Sequence, residues 1–313
     1  MKIAFFATPE IAIESFKYFI ESKDYEVCAL VTQPPKPSNR GKKIVQSKIK
    51  TLALENNIEV LEPQKISKEP EIIQKLKSYN CDFFITFAFG QILSQEVIDI
   101  PKFATINLHA SLLPCYRGAN PICEAILNGE EKTGITTMKT VLELDAGDIC
   151  LQQEIPLDDE INTPELMEKI SNLSPQLLDK TLKGIYNNTL DPIKQQEEKA
   201  TFTKKIKKED KNIDWSQSAK KIHDKIRAMH TINTCHTKFN GKLVKVLKTK
   251  VIDTDKKAKY GEVLSVDKNG ICVCCADKAI LLISVKPEGK GEMSAFSWSL
   301  GAKIKTGDIL ELC

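Results

Sequence analysis

Apolar residues fall in short solid blocks along the first half of the chain: KIAFFA at 2–7, EVCALV at 26–31 and DFFITFAF at 82–89. Blocks of this length predict strands buried on both faces. EVLEP at 59–63 and TINLH at 105–109 continue the series. Between them the period lengthens. From Glu10 to Glu21, Ile11, Ser15, Phe16 and Phe19 lie near one helical face, and IVQSKIKTLALENN, EIIQKLKSYN and ILSQEVIDI also read as helical. Strands separated by short helices predict a mostly parallel sheet covered on both faces, with ligands bound beyond the carboxyl ends of the strands.

The pattern changes after residue 133. Residues 134–157 read as two strands around the turn LDAGD, and Thr163, followed by Pro164, predicts the cap of a long helix reaching Asn187 and Asn188. Residues 189–206 are polar and follow neither period, which reads as a linker. A helix over SQSAKKIHDKIRAM gives way to the short β-rich runs KLVKVLKTKVI, GEVLSV, GICVCCA, AILLISVKP and DILEL. Short strands with glycine-containing turns predict a small antiparallel barrel. The expected layout is a first domain over 1–188, a linker over 189–206 and a second domain over 207–313. Excision of the second domain is expected to leave the first one folded.

Charge adds a partner to this picture. Residues 1–204 hold 23 Lys/Arg against 29 Asp/Glu, or −6, whereas 205–313 hold 22 against 13, or +9. A basic second domain points to an anionic macromolecule. Of the 45 basic residues only Arg40, Arg117 and Arg227 are arginine, which marks places where a planar, bidentate group is wanted. No apolar run approaches the roughly 20 residues that span a bilayer. The N-terminal apolar run is too short for an export signal, so the ten cysteines read as reduced thiols in a cytoplasm. The C-x-x-C within CVCC has no second ligand pair, and no metal site is expected there. The first strand is followed by ATPEIA rather than a glycine-rich turn, which argues against dinucleotide binding, and no P-loop occurs.

The chemistry gathers in INLHASLLPCYRGANP, residues 106–121. Asn107 and His109 flank Leu108 at a strand end, so their side chains point the same way. An amide and an imidazole together can stabilise negative charge on a carbonyl oxygen or handle a proton. Asp145, in ELDAGD, supplies a carboxylate able to orient the imidazole. No serine sits in a G-x-S-x-G elbow and no cysteine in a nucleophile motif. The set suits direct transfer of an acyl-like group onto an amine.

With Asp145 placed 36 residues after His109, this stretch resembles the folate-dependent formyltransferase family. The loop TQPPKPSNRGKK, the segments IDWSQSA and IRAM, and MSA near the end resemble the branch acting on charged initiator tRNA. The similarity runs along essentially the whole chain. It implies an α/β fold with a Rossmann-like mostly parallel sheet, followed by an OB-like β-barrel. It implies transfer of the formyl group of 10-formyltetrahydrofolate, a co-substrate, to the α-amino group of methionine on initiator tRNA, with no metal. By position, Asn107, His109 and Asp145 match the catalytic trio. Ser111, Leu112, Leu113 and Pro114, with Phe87, Gly90, Ile92 and Leu93, match the folate-contacting segments. Arg40, Gly41, Lys42 and Lys43 match a loop that engages the tRNA acceptor end. The working form is expected to be a cytoplasmic monomer without membrane association.

Two departures stand out. Cys115 occupies a position that is often basic in the family, and HTINTCHTKF at 230–239 replaces a proline- and aromatic-containing segment. A formyltransferase acting on a small amine, such as an amino-sugar nucleotide, would share the trio but has no use for the basic loop or the +9 domain. A non-catalytic RNA-binding protein would explain the barrel and leave the trio without purpose.

Overall fold

The structure, a computed structural model, describes residues 1–35, 46–230 and 234–312, with the backbone alone at 37, 38, 43 and 44. Arg40, Gly41 and Lys42, the Lys43 side chain and part of HTINTCHTKF therefore lie outside the described residues. The chain runs through β1 (Lys2–Ala7), α1 (Ile13–Glu21), β2 (Glu26–Val31), the two-residue strands β3 (Pro37–Ser38) and β4 (Lys43–Ile44), and α2 (Lys48–Glu55). Then come β5 (Glu59–Leu61), α3 (Pro70–Ser78), β6 (Phe83–Phe87), α4 (Gln95–Ile98) and β7 (Ala104–His109). α5 (Pro121–Leu127), β8 (Lys132–Lys139), β9 (Ile149–Pro156) and α6 (Thr163–Tyr186) follow.

Seven strands form one sheet in the order β5-β2-β1-β6-β7-β8-β9. Pairing is parallel from β5 to β7 and antiparallel between β7 and β8. The expected mostly parallel sheet is present. Alternation along β1 shows why its apolar block is continuous. Phe5 packs on Phe16 and Phe19 of α1, with centroids 5.4 and 6.1 Å apart, while Phe6, on the other face, meets Phe84 at 5.0 Å and Phe89 at 5.5 Å. All six rings are buried, and truncating one such ring to alanine costs about 3–5 kcal/mol. The chain builds outward from β1 to β5, then returns to the other side of β1 with β6. That reversal opens a crevice at the carboxyl ends of β1 and β6, next to the end of β7.

The described chain divides into two compact units. The first comprises Met1–Pro121, Thr133–Pro156 and Met167–Thr203, the second Ile122–Lys132, Leu157–Leu166 and Lys204–Cys313. Two segments from within the expected first domain thus fold with the basic C-terminal part, and excising that part would strip them of their packing. The polar stretch at 189–203 clusters with the first unit, where Ile193 bridges Ile149, Phe202 bridges Arg117 and Gln195 is buried. It behaves as a packed strap rather than a free spacer. The cap of α6 also differs from expectation. Asn162 Oδ1 accepts from Glu165 N at 3.1 Å and Glu165 Oε2 accepts from Asn162 N at 3.0 Å, a reciprocal capping box one residue earlier than Thr163. Thr163 instead donates its hydroxyl to Ala228 O.

In the second unit α7 (Ala219–Ala228) is capped by the Ser218 hydroxyl. It precedes β10 (His236–Phe239), β11 (Lys242–Ile252), β12 (Val263–Asp267), β13 (Gly270–Cys274), β14 (Ala279–Pro287), β15 (Met293–Ser294) and α8 (Ala295–Ala302). The antiparallel order is β10-β11-β14-β13-β12, with β15 on β14. Ile309 bridges Glu262 at the start of β12 and Glu311 bridges Lys238 in β10, so the last segment joins the two edges. That closure makes the expected barrel. Its interior holds Trp215, whose indole N–H donates to Thr237 Oγ1 at 3.3 Å, and the edge-on pair Phe239–Trp298.

Candidate active site

Asn107 owes its orientation to the register of β6 and β7. Thr86 lies beside Asn107 across the parallel pair, and its hydroxyl donates to Asn107 Oδ1 at 2.8 Å. With the amide oxygen occupied, Nδ2 is the end of the half-buried side chain left to donate at the sheet's carboxyl edge. An amide held this way is pre-oriented to meet a developing oxyanion.

His109 ends the same strand and is buried. Its Nε2 lies 2.8 Å from Tyr116 O. A carbonyl only accepts, so Nε2 carries the hydrogen. The opposite nitrogen, Nδ1, faces Asp145 Oδ2 at 3.6 Å. That gap is too long for a hydrogen bond, yet a nitrogen or oxygen placed between the two groups reaches both. Asp145 Oδ2 also accepts from Gly118 N at 2.8 Å. The loops that present these partners adopt left-handed backbone, with φ of +63° at Tyr116, +111° at Gly118 and +50° at Asp145. Such non-glycine conformations cost of order 1–3 kcal/mol each and persist where the surroundings determine them. Gly147 completes the turn after Asp145, where a Cβ would fall 1.7 Å from Lys139 O.

The remaining residues expected at the site divide into two groups. Ser111 is buried, with its hydroxyl donating to Cys115 O at 2.6 Å. Leu113 N donates to Thr136 Oγ1 at 3.1 Å, and Gln152 Nε2 donates to Leu113 O at 2.9 Å. Leu112 and Pro114 are half-buried in the same loop, and Pro114 O accepts from Thr201 N at 3.3 Å. The backbone of the 111–114 loop is thus tied to its own neighbours, Ser111 O to Thr136 Oγ1 and Leu112 O to Cys115 N included, and the loop is held in a fixed shape. Phe87, which ends β6, is buried; past it Ile92 is exposed, and Leu93 packs into the core with Phe89 and Val97. Gly90 turns beside Gln33, whose amide donates to Phe89 O at 2.8 Å. Thr86, Thr136 and Gln152 carry no local sequence signal, because a hydroxyl or amide on a strand takes its role from the neighbour it meets in the fold.

Neither Cys123 nor Cys150 presents a thiolate. Burial pushes Cys123 up to about 11 and Cys150 up to about 12, so both stay protonated at neutral pH. Cys115 sits half-buried with its sulfur 3.8 Å from Lys199 O. No group of three or more His, Cys, Asp or Glu side chains able to hold a metal is present among the described residues. None of the described helices is long and apolar enough to cross a membrane.

Comparison with known proteins bears on this geometry. Residues 1–182 match the family described as formyl transferase, and residues 205–303 match the formyl transferase C-terminal domain. The chain is 39% identical to the methionyl-tRNA formyltransferase of Clostridium novyi (strain NT) over 311 residues, 99% of this chain and 100% of that one. It is 41% identical to the methionyl-tRNA formyltransferase of Clostridioides difficile (strain 630), again over 99% and 100%. Among solved structures, the N-formyltransferase of Helicobacter canadensis, in complex with folinic acid and dTDP-3-aminofucose, superposes with a TM-score of 0.65 at 20% identity. That match covers 90% of this chain and 98% of the other. HypX of Aquifex aeolicus, in complex with tetrahydrofolic acid, gives 0.62 at 19% identity, covering 96% of this chain and 47% of its own. At those identities the likeness is one of fold.

Proposed function

The chain belongs to the formyl transferase family, and on that footing we propose that it transfers the formyl group of 10-formyltetrahydrofolate to the α-amino group of methionyl initiator tRNA. The observation that carries the reading is the set of unspent groups at one strand end: Asn107 Nδ2 free to donate, and His109 Nδ1 facing Asp145 at 3.6 Å. Full-length relatives named for that reaction select the substrate.

Asn107 donates to the formyl oxygen as the amine attacks and charge develops there. His109 Nδ1 and Asp145 receive the proton that the attacking nitrogen sheds, and His109 then offers an Nδ1–H to the same charge. The proton ends on the folate nitrogen as its bond to the formyl carbon breaks. Nothing in this sequence needs a covalent enzyme intermediate. The 111–114 segment and the loop from Phe87 through Gly90, Ile92 and Leu93 line the folate side of the crevice in this reading. The Arg40–Lys43 loop engages the acceptor end, and the basic barrel holds the tRNA body through phosphate contacts. The enzyme works as a cytoplasmic monomer.

The test mixes the protein with formyl-labelled donor and either methionyl initiator tRNA or an amino-sugar nucleotide. Label on the aminoacyl end of the tRNA is expected. Transfer to the sugar nucleotide alone, or no donor turnover at all, would overturn the proposal in favour of a small-amine enzyme or a binding protein. Arg40→Ala should lower productive use of the acceptor end more than it lowers overall tRNA binding, as separate kinetic and binding titrations would register.

A further inference from the structure

We propose that Gln195 and Arg117 are positioning residues, which hold His109 and Asp145 at their working separation from outside the reacting atoms. The inference rests on the catalytic reading of those two groups. His109 has its partners on two different loops, Tyr116 O at 2.8 Å on one and Asp145 on the other. Arg117, next to Tyr116, is 1% exposed, and so is a guanidinium deeper in the protein than either loop it serves. Its Nε and Nη2 donate to Gln195 Oε1 at 3.1 and 2.8 Å, and its Nη1 and Nη2 donate to the Glu197 carboxylate at 2.9 and 2.7 Å.

The other end of the Gln195 amide reaches the second loop. Nε2 donates to Asp145 O at 2.8 Å and to Gly147 O at 2.7 Å. One planar side chain therefore grips the 116–118 loop through its oxygen and the 145–147 loop through its nitrogen. Gln195 is buried and these four bonds absorb both donors and both lone pairs of its amide. Backbone pairing adds to the grip. Arg117 N donates to Thr201 O and Thr203 N donates to Arg117 O, each at 2.8 Å, while Tyr116 N donates to Thr201 Oγ1 at 2.8 Å. The strap thus fixes the two left-handed residues, Tyr116 and Asp145, that aim a carbonyl and a carboxylate at one imidazole.

Gln195→Glu separates the two halves of the device. A carboxylate at 195 still accepts from Arg117 but cannot donate to the carbonyls of Asp145 and Gly147. Steady-state formylation, its pH profile and the titration of His109 followed by NMR, assigned with a His109→Asn variant, are measured on the whole protein. Gln195→Glu is expected to lower kcat by about 10²-fold, with both KM values held within about 2-fold. The limbs of its pH–rate profile and the His109 midpoint should move away from wild type. Arg117→Lys, which keeps the charge without the fork, should follow in the same direction. A lower melting temperature with wild-type kcat per folded molecule, pH profile and His109 titration would make Gln195 purely structural and overturn the inference. Should Gln195→Ala fail to fold, the isosteric Gln195→Glu decides. Because the His109 titration needs no substrate, a wild-type protein inactive on tRNA defeats the functional reading alone.

Discussion

His109 in the first unit and His223 in the second are both buried, at 6% and 4% exposure, and each has a ring nitrogen 2.8 Å from a backbone carbonyl oxygen. They part at the other nitrogen. His223 Nδ1 lies 2.9 Å from Thr249 Oγ1, a hydroxyl that can serve as donor or acceptor, so both of its nitrogens are bonded. His109 Nδ1 faces a carboxylate 3.6 Å away, beyond hydrogen-bond distance. Burial alone does not separate these two histidines, and the proposed mechanism turns on the hydrogen-bonding capacity left at the strand end by His109. The two described arginines extend the contrast. Arg227 Nε bonds Asp224 Oδ1 at 2.8 Å, and its Nη1 bonds Asp158 O and Ile161 O, holding one loop of the second unit. Arg117 is equally buried, but its network ends on the loops around His109.

The comparison breaks most visibly in rates. Asn107→Ala and Asp145→Asn should each lower kcat by about 10²–10³. Asp224→Asn, which also removes a buried carboxylate, should leave kcat per folded molecule unchanged; steady-state kinetics on both sets would expose any failure of that division. Stability should show the reverse. Arg227→Ala leaves the carbonyls of residues 158 and 161 and the Asp224 carboxylate under-bonded, at about 3 kcal/mol in urea titration, without altering turnover. An unchanged midpoint would mean that the 157–162 loop is held by something else.

A smaller effect sharpens the account of Asn107. Thr86→Val removes the hydroxyl that keeps the amide from flipping and should cost about 10-fold in kcat, the worth of one hydrogen bond, with folate affinity intact. Equal losses in affinity and rate would assign Thr86 to binding instead. Smallest of all, Cys115→Ser should change kcat by less than about 2-fold. A formyl thioester trapped on Cys115 would contradict direct transfer.

The strands and most helices were legible because each is local, a solid apolar block or a helical stripe, whereas Asp145, 36 residues after His109, was joined to Asn107 and His109 by the family resemblance. What escaped was non-local. Gln195 sits in a polar stretch with no period, and its burial is stabilised by four hydrogen bonds that hydrophobic patterning does not register. Thr163 looked like a cap because proline follows it, yet Asn162 and Glu165 form the reciprocal pair. α8, with sequence AFSWSLGA, has no polar face to give it a helical stripe. The assignment of 122–132 and 157–166 to the C-terminal unit depends on packing across a hundred residues of sequence. Arg117 was marked by its rarity, and rarity pointed correctly to bidentate bonding without saying that the partner is internal.

The most direct test is single-turnover formylation by His109→Ala and His223→Ala, compared with wild type at equal folded fraction. The account predicts a loss of about 10²–10³ for His109→Ala, and for His223→Ala a wild-type rate with a lowered melting temperature. Equal losses in the two variants, or a wild-type rate for His109→Ala, would contradict it.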